Sequence, residues 1–118
     1  MKAGVESGLA AVRQIFSLEM SKASHAENSG SQKEVWFHLE RAHIVSQPVP
    51  RFHFLVHWKM LRYSIISRNW REMLAQVPRL LLAAPSSWMK TAPRGNPGSS
   101  RMSMFAKAEI PDDLKSLL

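Results

Sequence analysis

Cysteine is absent from this chain. That removes disulfides, thiolate metal sites and cysteine nucleophiles from consideration. Long apolar runs are absent too. The clearest, Leu80 to Ala84, is far short of the roughly 18 residues a membrane-spanning helix needs, so no membrane association is expected. The opening stretch Met1-Lys2-Ala3-Gly4-Val5-Glu6 leads into no apolar segment of signal-peptide type, which makes the cytoplasm the expected compartment. There is no Gly-x-Ser-x-Gly elbow. Gly95-Asn96-Pro97-Gly98 lacks the preceding strand and the following Lys-Ser/Thr of a phosphate loop. An enzyme is therefore not expected. Acidic residues are scarce, nine against sixteen Lys and Arg, for a net charge of +7.

What is present suffices for one small domain. The 118 residues are 45% hydrophobic, enough apolar material for a single core spanning residues 1–118. Leu9, Val12, Phe16, Met20 and Ala23 recur at spacings of three and four, which predicts a first helix over 6–27. Ser31 and Glu34 form a capping-box pattern that opens a second helix over 32–46, ended by Pro48 and Pro50. A third helix is predicted over 51–66. It has two apolar stripes, Phe52, Val56, Met60 and Tyr63 on one and Phe54, Trp58, Leu61 and Ile65 on the other, implying burial on two sides. A fourth, over 69–83, carries Trp70, Met73, Leu74, Val77 and Leu81, with Pro78 expected to kink or restart it.

Residues 1–84 thus form the expected helical core. Residues 85–118, rich in Pro, Gly and Ser, form an irregular tail whose Trp88, Met89, Phe105 and Ile110 should pack back on the helices. Gly95 and Gly98 read as turn residues with positive φ, and Pro111 to Leu114 as a short final helical turn. The fold class is all-α: a small four-helix bundle of antiparallel helical hairpins. The short 47–50 connection should make helices 2 and 3 antiparallel neighbours. Leu39, Phe52, Val56, Leu61, Trp70, Leu74 and Leu81 are the expected core.

Several motifs together resemble a known family. They are Leu39-Glu40-Arg41-Ala42-His43-Ile44, His53-x-x-x-His57-Trp58-x-Met60-Leu61-Arg62 and Asn69-Trp70-Arg71-Glu72, followed by Gly95-Asn96-x-Gly98, Phe105 and Ile110-Pro111-x-Asp113-Leu114. Over roughly residues 31–114 the chain resembles a small bacterial family known as domain of unknown function 3703. The resemblance implies a short helical protein without assigned activity and hints at metals. It supplies no catalytic residues.

Two features of the residues themselves point to ligands. Residues 41–79 hold seven basic side chains and one acidic one. Lys59, Arg62, Arg68, Arg71 and Arg79 could form a basic face for nucleic acid or another anion, although helical spacing also suits a solvated face. A homodimer or a protein partner is the broader alternative, given four Trp and seven Met in so short a chain. The sharper signal lies in the histidines, four of which fall between positions 38 and 57. Glu40 and His43 are three apart, and His53 and His57 four apart, so each pair shares a helix face. About a hairpin centred between Pro48 and Val49, His43 should face His53, and Glu40 should face His57 one turn deeper. Three imidazoles and one carboxylate suit a divalent transition metal such as zinc in a closed four-coordinate site. Met60, one turn on, could favour copper. The role expected is structural, sensing or carrier. His38 points elsewhere. The affinity should fall as pH drops below roughly 6.5, where imidazoles protonate.

Overall fold

The computed structural model describes residues 2–118. Met1, part of the stretch read for an export signal, lies outside the described residues. The chain is all-α: α1 (Lys2–Ser29), α2 (Gln32–Ser46), α3 (Pro50–Ile66), α4 (Trp70–Trp88) and a single turn, α5 (Asp112–Lys115). No strand occurs among the described residues, and no helix there is long and apolar enough to cross a membrane.

Local chemistry sets the boundaries. Gly30, at φ +80°, ends α1 in the left-handed conformation that glycine adopts without strain. Ser31 then caps α2, its hydroxyl accepting from the Glu34 amide at 3.4 Å. Pro50 occupies the first turn of α3, where its missing N–H leaves no bond unmade. Asn69 caps α4 by accepting from the Glu72 amide at 3.2 Å. α4 does not show the restart expected as one outcome at Pro78. It runs through Pro78 and Pro85 to Trp88, five residues beyond the predicted end. Both prolines lie on its exposed side, where the carbonyls left without an amide partner can be hydrated.

The apolar core lies among α1, α2, α3 and the C-terminal turn. Phe16, Val35, Leu39, Val45, Phe52, Val56, Met60 and Leu114 are its buried members. Phe16 and Phe52 stack at 4.6 Å between centroids. A partly buried polar network fixes the same region: Glu19 accepts from His38 Nδ1 at 2.7 Å and from Arg41 Nε at 3.0 Å, and Arg41 reaches on to Asp113. Leu39, Phe52 and Val56 are buried as expected, and Leu61 is half-buried.

Three expected core residues are not in it. Trp70, Leu74 and Leu81 are 54%, 68% and 71% exposed. The reason is the orientation of α4, whose buried residues are Glu72, Gln76, Ala83 and Ser87, a mostly polar stripe. Its apolar stripe therefore points outward. Only one of the two apolar stripes on α3 is buried, since Phe54, Trp58 and Ile65 are all exposed. The tail does pack back, but through other residues than most of those expected. Gly95 to Ser99 and Leu114 are buried and Ile110 is half-buried, whereas Trp88, Met89 and Phe105 face solvent.

Candidate metal centre

His43 on α2 and His53 and His57 on α3 converge at one buried point, each no more than 4% exposed. Their ring centroids are 4.6 to 5.0 Å apart, and one ligating nitrogen of each lies within 4.8 Å of the other two. The short Pro-containing connection brings His43 opposite His53 as the hairpin count requires, with Nε2 to Nε2 at 3.0 Å.

Neighbouring groups fix which nitrogen of each ring carries a proton. His43 Nδ1 lies 2.6 Å from the Asn96 carbonyl oxygen, which can only accept, so Nδ1 donates. His57 Nδ1 lies 2.7 Å from Gln76 Oε1. The Gln76 amide nitrogen donates to the Gly98 carbonyl at 2.8 Å and to Glu72 Oε2 at 3.2 Å, which settles its orientation. His57 Nδ1 is therefore a donor too. His53 Nδ1 lies 2.7 Å from Ser87 Oγ, whose own proton goes to the Gln47 carbonyl, so Ser87 must accept from His53. All three rings are Nδ1–H tautomers, and all three Nε2 atoms carry lone pairs. His43 Nε2 and His53 Nε2 thus stand 3.0 Å apart with no proton between them. In a tetrahedral zinc site with bonds near 2.0–2.1 Å, donor nitrogens are separated by about 3.3 Å.

Burial also sets the charge. Desolvation, with smaller contributions from His57 and His53, holds His43 well below the ordinary imidazole range. Desolvation pushes His53 down to about 4. It pushes His57 to about 3, with His53 adding to the effect and the Gln76 hydrogen bond opposing it. All three are neutral near pH 7, the state a metal ligand requires. The pH limit set from ordinary imidazoles, roughly 6.5, accordingly moves down for the folded site.

The partners of the rings come from parts of the sequence that spacing alone did not mark. Gln47, Gln76, Ser87 and Asn96 are all buried. Gln47 donates to the Pro93 carbonyl at 2.6 Å and accepts from the Gly95 amide at 3.0 Å. The Asn96 amide nitrogen holds the Ser103 and Ala106 carbonyls at 2.7 and 2.6 Å, while its oxygen accepts from the Gly98 amide. Gly98, at φ +85°, lies against His43, and a Cβ there would come 2.5 Å from the ring. The sequence did hold a signal for this loop, in Gly95-Asn96-x-Gly98 read as positive-φ turn residues. Gly95 and Gly98 have φ of +81° and +85°.

The structure brings together three of the four expected ligands. Glu40 is not with them. Its carboxylate accepts from Ser99 Oγ at 2.5 Å and from Arg101 Nε at 3.0 Å. A guanidinium at the protein edge satisfies an ionised carboxylate more cheaply than burial beside imidazoles. His57, rather than facing Glu40, closes on His43. Met60 is fully buried in the apolar core. His38 binds Glu19, away from the cluster as expected.

The five basic candidates do not gather on one free face. Lys59 and Arg62 lie 3.2 and 4.0 Å from Glu27. Arg68 and Arg71 are exposed. Arg79 is half-buried and lines a cavity of about 40 Å³ together with the three histidines, Asn96 and Gly98. A larger cavity of about 430 Å³, mainly apolar, includes Val12, Ile44, Ile110, Lys90 and Arg94 in its wall and shares Gln47 and Ser87 with the supports of the histidines.

Residues 10–118 match the family model described as a protein of unknown function (DUF3703). The match begins inside α1, further towards the N-terminus than the motifs quoted above. Searches of the curated proteins and of the solved structures gave no match.

Proposed function

The chain belongs to the DUF3703 family, proteins of unknown function, and from its buried site we propose that it is a metal-binding protein. A divalent transition ion, zinc foremost, is held by His43, His53 and His57 through Nε2. One observation carries this reading: three Nδ1–H groups are each tied to a fixed acceptor, which leaves three inward lone pairs and no proton among them. Left empty, this arrangement is repulsive; a cation relieves it.

The ligands come from α2 and α3, and their supports from α4 and the tail. A bound ion therefore ties four segments together, and binding to the folded state alone stabilises it. The role we assign is structural, sensing or carrier. The test is to titrate metal-free, untagged protein with zinc, cobalt, nickel and copper while following melting temperature. Zinc or cobalt should raise it, and a His53→Ala/His57→Ala double variant should show no such rise. An unchanged melting temperature with every metal defeats the proposal.

A second reading is favoured by the outward stripe of α4. Trp70, Leu74, Val77, Leu81 and Trp88 are all exposed, and α3 exposes Phe54, Trp58 and Ile65. Apolar surface of this extent marks an interaction face, so a homodimer or protein partner is the alternative role. Light scattering across a concentration series tests it. Binding of nucleic acid has less support, because Lys59 is paired with Glu27 and Arg79 lines the histidine cavity.

A further inference from the structure

This inference rests on the metal reading above. We infer that the fourth position of the bound ion is filled by a small external anion with a single donor atom, halide or hydroxide in size, and that Arg79 is its partner on the protein. The argument begins with charge. Three neutral imidazoles bring no negative charge to a dication, and Arg79 adds a further positive charge to the same cavity wall. With only the charge of Glu72 nearby to offset these positive charges, an anion at the fourth position is favoured.

The nearby carboxylates are committed elsewhere. Glu40 is bound by Ser99 and Arg101. Glu72, whose charge Arg79 senses, accepts from Gln76 Nε2 and from the Ser100 amide and hydroxyl. Neither carboxylate lines the cavity, so an anion at the fourth position comes from outside the chain.

Arg79 is prepared for it. Its Nη1 donates to the Ala75 carbonyl at 2.8 Å and its Nη2 to the Met102 carbonyl at 3.0 Å. Those bonds hold the guanidinium in place. Its Nε is buried and has no acceptor, which singles it out among the described residues. A buried donor left unpaired is costly, and an anion would satisfy it with a charge-assisted bond. The cavity is small. At about 40 Å³ it holds no more than a few water-sized groups, each needing roughly 10–15 Å³, so chloride or hydroxide beside a metal ion suits it better than sulfate or phosphate.

The experiment uses the full chain loaded with cobalt(II), whose visible spectrum reports the ligand set. Titration with chloride or bromide, with sulfate as the oversized control, should shift the bands saturably for the halides and not for sulfate. Arg79→Met should weaken halide binding about tenfold or more while changing cobalt affinity by less than about threefold, and Arg79→Lys should fall between. X-ray absorption of the zinc-loaded parent in chloride should show three nitrogens and one chloride, a result that needs no variant to fold. Cobalt bound without any halide response, four protein donors at zinc, or an Arg79→Met protein that binds halide like the parent each overturn this inference and leave the metal reading intact. Failure of cobalt and zinc to bind at all overturns both.

Discussion

The two sides of this small bundle are held together by opposite chemistry. Where α1, α2 and the buried stripe of α3 meet, the contacts are apolar: Phe16 on Phe52, with Leu39, Val56 and Met60 fully or nearly fully buried. Where α4 and the tail meet α2 and α3, the buried groups are His43, His53, His57, Gln47, Gln76, Ser87 and Asn96. The first interface is non-directional and tolerates modest repacking. The second depends on every donor finding its acceptor, because one unpaired group in such a network costs the full desolvation of that group. Polar interiors of this kind specify position more than they add stability. Here they position three imidazoles, and α4 turns its apolar stripe to solvent in order to do so.

The largest expected difference between the two sides is their response to acid. Burial lowers the pKa of His53 and His57 to about 4 and about 3, and that of His43 well below its ordinary value. Below pH 6.5 the unfolded chain takes up protons that the folded chain refuses. Stability is thus fully present above about pH 6.5 and falls as pH drops towards the folded values, by up to about 1.4 kcal/mol per pH unit for each histidine. Metal-free protein should lose melting temperature steeply between pH 6.5 and 4, and a His43→Phe variant less steeply. A flat profile would separate the histidines from folding altogether.

Within the apolar side, Leu39→Ala should cost about 2–5 kcal/mol in chemical denaturation, as a fully buried leucine. Within the polar side, Gly98→Ala should cost about 1–3 kcal/mol, combining a strained positive φ with a clash on the His43 ring. Zinc affinity should fall together with that stability. Removing a support without touching a ligand sharpens the contrast: Gln76→Ala should lower zinc affinity about 10- to 100-fold by calorimetry, while Glu40→Gln should leave it nearly unchanged. The smallest effect belongs to the outward stripe. Leu74, at 68% exposure, should lose less than about 0.5 kcal/mol on truncation to alanine. A loss as large as that of Leu39→Ala would mean that α4 is covered in solution by a second copy or a partner.

Much of the architecture was legible in the residues. Ser31 and Glu34 marked the start of α2, and the apolar spacing of α1 and of one stripe of α3 marked faces that meet. The facing of His43 and His53 followed from counting outwards from Pro48. The same count failed for Glu40. Counting treats two helices as aligned rods, whereas α2 and α3 touch less extensively than α1 touches α2 or α3 touches α4. A carboxylate one turn along was free to be captured by Arg101.

Local physics therefore determined what depends on neighbours along the chain: caps, the turns at Gly95 and Gly98, the helical period, and the clustering of three histidines around one tight connection. Tertiary structure alone decided which face of α4 turned inward. A helix with apolar residues on one side and Glu72, Gln76, Arg79 and Ser87 on another is ordinarily read as burying the apolar side, because water removal from hydrocarbon dominates folding. Here the three histidines, once brought together by α2 and α3, needed acceptors for their Nδ1 protons. The polar stripe of α4, through Gln76 and Ser87, and the carbonyl of Asn96, 53 residues beyond His43 in the chain, supply them.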